Sequence, residues 1–265
     1  MGLFLDFFYR IGDWTLYTLA QAGRMGIFLA ICLLRVICPP YKIGPVISQL
    51  HFIGARSFLV ILFTGGFTGM VLGLQGYYAL QQFGAEGMLG SAVALSLIRE
   101  LGPVLAALMV VGRAGSAICA EIGIMRNLEQ IDALECMAID PYRYLIVPKL
   151  IAGILAMPLL TFIFDIIGIL GGYLVGVVLL HTNQGQYFQA MYDSVVWKDI
   201  QMGIIKSLVF GLLIVWITAA KGFYLHLERT GGFGAVGVSR QTTSAVVYAS
   251  VAVLVWDYLI TSFML

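Results

Sequence analysis

Long apolar runs broken by short charged connections set the pattern of this chain. Runs of about 18 or more apolar residues read as membrane-crossing helices. Ser57 to Phe83 carries no charge, and Leu89 to Ala120 contains Arg99, Glu100 and Arg113. Leu145 to Leu180 is interrupted by Pro148, Lys149, Pro158 and Asp165. Met202 to Ala220 has Lys206 near its start, and Thr243 to Leu265 encloses Asp257. Ahead of these five runs, Ile11 to Ile37 is moderately apolar but holds Asp13, Arg24 and Arg35. Its last two arginines lie about three helical turns apart and so share a face. That reads as an amphipathic helix lying in the membrane interface, ended by Pro39-Pro40; the alternative is a sixth span. The expected fold is an all-α integral membrane protein, with an N-terminal interfacial segment over 1–56 and one five-span domain over 57–265.

The second and third runs are too long for a simple crossing. A 36-residue helix measures ~54 Å, against roughly 30 Å of hydrocarbon. Such helices tilt, bend at Pro103, Pro148 and Pro158, or project into the inner aqueous phase. Lys and Arg in the connections set the orientation. With the N-terminus inside, the inner segments hold Arg10, Arg24, Arg35, Lys42, Arg56, Arg126, Arg143, Lys221, Arg229 and Arg240, and the outer ones only Lys198. Five spans then put the C-terminus outside. Glycines recur at spacing four, as Gly65, Gly69, Gly73 and as Gly168, Gly172, Gly176. Each set falls on one helix face and permits a close crossing, either at a dimer seam or sliding contact or within the chain.

Composition agrees with this class. Only 11% of the 265 residues are charged and 60% are hydrophobic, with mean hydropathy +0.95. A soluble globule has too much surface to cover with so few charges, which excludes a disordered chain, a disulfide scaffold and almost any water-soluble enzyme. Net charge is +1, so nothing points to nucleic acid. Cys32, Cys38, Cys119 and Cys136 show no CxxC spacing, and His51, His181 and His226 are scattered; buried or lipid-facing thiols are expected rather than a metal site. The first ten residues lack a basic stretch and a cleavage site, and do not form a signal peptide.

The chain contains no G-x-x-x-x-G-K-[ST] loop, no dinucleotide fingerprint and no HExxH. The glycine-rich stretch Gly231 to Gly234 reads as a flexible connector. Charges inside a span are costly, which singles out Arg99-Glu100, just before Pro103. The proline ring clashes with the carbonyl of Arg99, so the helix bends where the charges sit. Two readings follow: a polar spot facing an internal cavity that meets a charged headgroup, or a structural pairing of Arg99 with Asp165 or Asp257. Those two acids suit a paired or protonated state, or a proton relay. The inner connection, about 122–140, reads as a short amphipathic helix. Asn127 with Gln130 forms a capping box, Leu128, Ile131 and Leu134 an apolar row, and Glu129, Asp132 and Glu135 an acidic row; Asp140-Pro141 stops it. An acidic face is poorly suited to anionic lipid and points to a protein partner.

These segments resemble a known family. ALSLIRELGPVLAAL (94–108), GRAGS (112–116), AEIGIMR (120–126), EQIDAL (129–134), Asp140-Pro141 and GMVLGLQGY (69–77) are together similar to the MlaE/YrbE permeases of MCE-type ABC transporters, closest to the MlaE branch, which handles phospholipids in bacteria with two membranes. The resemblance implies a permease subunit, not itself an enzyme, in the bacterial inner membrane. It implies a homodimer and a cytoplasmic ABC ATPase that binds ATP and Mg, so that this chain carries no cofactor. It further implies a periplasmic hexameric MCE protein, a small STAS-domain protein that can bind the ATPase, and phospholipid as cargo. Carried over by motif, the lipid cavity wall falls on Leu72, Ala79, Leu80, Phe83, Arg99 and Glu100. Docking on the ATPase falls on Glu121, Gly123, Met125, Arg126, Glu129, Gln130, Asp132 and Leu134. The family's T-E-Q reads Leu128-Glu129-Gln130 here, with one hydroxyl fewer. The rival to this reading is an ATP-independent, proton-coupled secondary transporter using Glu100, Asp165 and Asp257; a third is a structural scaffold.

Overall fold

The computed structural model describes residues 2–37, 43–227 and 234–264. Pro39-Pro40, Cys38 and the stretch Gly231 to Phe233 lie outside the described residues. The rest is helical: α1 (Gly2–Ile37), α2 (Ile43–Ile53), α3 (Phe58–Gln81), α4 (Leu89–Ser96), α5 (Gly102–Val110), α6 (Ser116–Asn127), α7 (Gln130–Cys136), α8 (Val147–Tyr173), α9 (Gln184–Ser194), α10 (Trp197–Phe223) and α11 (Gly234–Met264). By length and composition, six stretches can cross a membrane. Five cover the expected runs but for at most two residues at their C-terminal ends. The sixth is Thr15–Ile37, within α1. The described contacts of α1 gather at one end of the bundle. Phe28 packs on Tyr142, Phe223 and Tyr224, Trp216 donates to the Met25 carbonyl, and Arg35 pairs with Asp140 at 2.7 Å.

π turns interrupt the long helices just ahead of Pro103 and Pro148, whereas Pro158 lies inside α8 without one. Leu97–Leu101 is a π turn directly before Pro103, and Tyr142–Ile146 is another just before Pro148. A proline has no N–H to give the preceding turn, and the wider turn absorbs the misfit. The second long stretch is thus α4, π turn, α5, a second π turn at Val111–Gly115, and α6.

The two glycine stripes meet each other. A side chain on Gly69 would land on the Gly168 carbonyl, and one on Gly73 on that of Gly172. Packing within the chain therefore accounts for both stripes, and it lets α3 and α8 run in close contact. Helix α10 sits at the centre, against α5, α6, α8 and α11. Cys32 and Cys119 are buried free thiols, whereas Cys136 is exposed.

The inner connection differs from the expected single helix. Residues up to Asn127 continue α6, and α7 begins only at Gln130. The residue before α7 is Glu129, at φ 55°, and no side chain caps the helix. Asn127 is not a cap: its amide donates to the Gly234 carbonyl. Nor does Asp140-Pro141 end the helix. The Ile139 N–H bonds to the Leu134 carbonyl and the Ala138 N–H to that of Glu135, with Ala138 at φ 56°, a Schellman closure. Asp140 instead accepts from the Tyr142 N–H at 3.0 Å and starts the next helix.

Candidate functional site

Two charged constellations stand out, one inside the span bundle and one at its basic end. The first centres on Lys206, whose side chain is fully buried. Its Nζ lies 2.6 Å from Glu100 Oε2 and 2.8 Å from Asp257 Oδ1, and donates to the Arg99 carbonyl at 2.9 Å. The Thr261 hydroxyl donates to Glu100 Oε1 at 3.0 Å. One ammonium thus ties the π turn at Glu100 to α10 and α11. Arg99 turns the other way and pairs with Asp199 Oδ1 at 2.7 Å. Asp199 also caps α10, since its Oδ2 accepts from the Val196 N–H. While Lys206 is sealed, Arg99 and Glu100 keep 37% and 39% of their side chains open.

These pairings correct the expected ones. Arg99 binds Asp199 rather than Asp165 or Asp257, because the π turn aims it at the start of α10. Asp257 belongs to Lys206. Asp165 stands apart, its Oδ1 buried without a hydrogen bond among the described residues, against Gly102. The three acids of the proton-coupled reading therefore do not form one chain of groups. Lys206 was visible in the sequence as a lone cation in an apolar run; Asp199 carried only the signal of an acid in a helix's first turn.

The second constellation clamps α7. Arg126 pairs with Asp132 at 2.7 Å, donates to His226 Nδ1 at 2.9 Å, and lies over the Phe223 ring. Burial, then the charge of Arg126, pulls the His226 pKa below its ordinary value, opposed by Asp132. Glu121 pairs at 2.8 Å with the buried Lys149, which also reaches Gln49. Gly123 packs against Leu225 and Val238. Ile131 is buried, Met125 and Leu134 are half-buried, and Leu128, Glu129, Gln130, Asp132 and Glu135 are exposed. Of the expected apolar row, Leu128 is therefore exposed rather than packed in the chain.

The family model "Permease MlaE" matches residues 46–263. The chain belongs to the MlaE permease family. A probable ABC transporter permease protein of Rickettsia bellii is 44% identical over 251 residues, 95% of both chains. The intermembrane phospholipid transport system permease protein MlaE of Haemophilus influenzae is 41% identical over 263 residues, 99% of this chain and 98% of that one. A probable ABC transporter permease of Synechocystis is 37% identical over 81% of this chain and 80% of its own.

In this MlaE-family permease the expected cavity residues fall into two groups. Arg99 and Glu100 join the charged cluster with α10 and α11. Leu72 and Leu80 are half-buried on α3 against the core, while Ala79 and Phe83 are exposed, Phe83 by 82%. A single chain leaves Ala79 and Phe83 uncovered.

Proposed function

We propose that this chain is the membrane subunit of an ATP-driven phospholipid transporter. It works as a homodimer and passes lipid between the inner membrane and a periplasmic MCE protein, which sustains outer-membrane lipid asymmetry. The observation that carries this reading is the asymmetry of the charged cluster. Its cation is sealed, while Arg99 and Glu100 stay partly open inside an apolar bundle. An apolar route with one fixed polar spot suits a molecule with acyl chains and a charged headgroup. Burying each CH₂ is worth ~0.8 kcal/mol, so lifting a whole lipid out of a bilayer needs an external energy source. With no nucleotide loop in the sequence, that source is a cytoplasmic ABC ATPase holding ATP and Mg, with a STAS-domain protein as a further partner. The exposed Ala79 and Phe83, with half-buried Leu72 and Leu80 beside them, mark the face at this end of α3 that a second copy completes. The exposed acidic side of α7, set by Glu129, Gln130 and Asp132 and braced by Glu121, Gly123, Met125, Arg126 and Leu134, is the face the ATPase grips.

Reconstitution with the ATPase and the MCE protein tests this. The pair Glu129→Lys and Asp132→Lys is expected to abolish both ATPase stimulation and lipid transfer while the dimer survives gel filtration. Undiminished transfer in that variant overturns the docking face. Full transfer by the permease alone, driven by a pH gradient, overturns the ATP-driven reading.

A further inference from the structure

We propose that the basic end of α3 holds a binding site for one phospholipid of the adjoining leaflet, its phosphate on Arg56 and Arg113 and an acyl chain in the groove between α2 and α8. This site lies at the opposite end of α3 from Leu72 to Phe83 and goes beyond the transport reading.

Level is the first argument. Helix α3 has 24 residues, ~36 Å at 1.5 Å per residue, against roughly 30 Å of hydrocarbon. Arg56, two residues before it, therefore stands at headgroup depth. Charge is the second. The guanidinium carbons of Arg56 and Arg113 lie 5.5 and 5.2 Å from the centroid of one ring, Phe52. Arg113 spends one nitrogen on neutral acceptors, the Phe52 carbonyl at 2.6 Å and the Ser57 hydroxyl at 3.1 Å. Arg56 is exposed and makes no hydrogen bond or ion pair with a described residue. Two cations thus share one aromatic ring, and no described carboxylate is paired with either. An oxyanion relieves that repulsion, and guanidinium forks match phosphate oxygens.

Shape selects the lipid over free phosphate. A groove of about 540 Å³ is walled by Ile47, Leu50, His51, Gly54, Phe58 and Leu159. Arg56 lies on the stretch between Gly54 and Phe58. Ile47, Phe58 and Leu159 are exposed at the rim, so the groove opens where acyl chains are. Its size falls within the range of small-molecule sites, and its walls are apolar except for His51. Inorganic phosphate has no use for such a wall, whereas a phospholipid fills both parts.

The test uses the full chain in a phosphate-free detergent, with a phosphatidylglycerol whose acyl chain carries a photoactivatable diazirine. After irradiation, adducts are mapped by peptide mass spectrometry. Wild type is expected to be labelled on peptides covering 47–58 and 155–163. Arg56→Gln should cut that labelling roughly fivefold, as for loss of an exposed charge contact, and leave labelling of 72–83 unchanged. A diacylglycerol probe with the same chains should label 47–58 as weakly as Arg56→Gln does with the phospholipid. Equal labelling in Arg56→Gln, or by the two probes in wild type, overturns the proposal. Displacement by excess inorganic phosphate overturns the lipid assignment in favour of a free-anion site. Failure of the transport reading would appear separately, as absent labelling of 72–83.

Discussion

Lys206 and Arg126 each bind a carboxylate at nearly the same distance, 2.6 Å to Glu100 and 2.7 Å to Asp132. Their surroundings are opposite. Lys206 has no exposed surface, and two acids share it; Asp132 is 53% exposed at the edge of water. The cost of removing a charge from water is large, and in a sealed site it is recovered only through its partners. In the outer pair Arg126 keeps 15% and Asp132 53% of their side chains open, so water still solvates the acid and the pair adds less. Distance alone therefore says nothing about what an ion pair contributes. The inner cluster fixes how α10, α11 and the π turn fit together, while the outer one only positions a short helix.

The sharpest way to break this comparison is Lys206→Met. It leaves Glu100 and Asp257 facing each other without a cation, and a loss of about 3–5 kcal/mol is expected, read as a lowered unfolding midpoint or failed assembly. The triple variant Lys206→Met, Glu100→Gln, Asp257→Asn removes all three charges and should regain most of that stability while losing lipid transfer. If the single variant is as stable as wild type, the cluster does not hold the spans together.

At the other pole, Asp132→Asn should cost no more than about 1 kcal/mol. Raising salt should erase the difference from wild type, because an exposed pair is screened. A larger, salt-insensitive loss would mean that α7 is held as firmly as the span bundle. Its effect on ATPase stimulation should exceed its effect on stability.

What could be read in the sequence follows the same division. The spans were legible because each is a long apolar run, and two π turns fall beside Pro103 and Pro148, whereas Pro158 sits in an unbroken α8 and the π turn at Val111–Gly115 has no proline beside it. The resemblance already implied the family. The glycine stripes were legible as faces, but not as partners: only the fold shows Gly69 against Gly168. Ion-pair assignments were least legible. Arg99 and Asp199 are 100 residues apart, and the direction of Arg99 depends on a π turn whose geometry no local pattern encodes. The limits of α7 failed for a related reason. Asn127 and Gln130 have capping-box spacing, yet the apolar residues of α6 pack on α10 and α11 and carry that helix past the cap. Arg56 looked like one more basic residue of an inner connection until Phe52 and Arg113 were placed beside it.

The smallest expected effect is the finest probe of the exposed cluster. In the folded chain the His226 pKa lies below its ordinary 6.5, first through burial and then through Arg126, with Arg24 adding a little and Asp132 opposing. A histidine so depressed is held neutral. Its contribution is complete above about pH 6.5, the unfolded value, and is lost as pH falls through the lower folded value. Wild type should therefore show a slightly steeper fall in unfolding midpoint on acidification below pH 6.5 than His226→Gln, whose amide oxygen can still accept from Arg126. Asp132→Asn sharpens this. It removes the one carboxylate that raises the pKa, leaves only the Phe223 backbone hydrogen bond against Arg126 and Arg24, and should carry the loss to lower pH and deepen it. A loss that ends at the same pH as in wild type would mean that Asp132 does not act on His226, and that Arg126 holds the two groups independently.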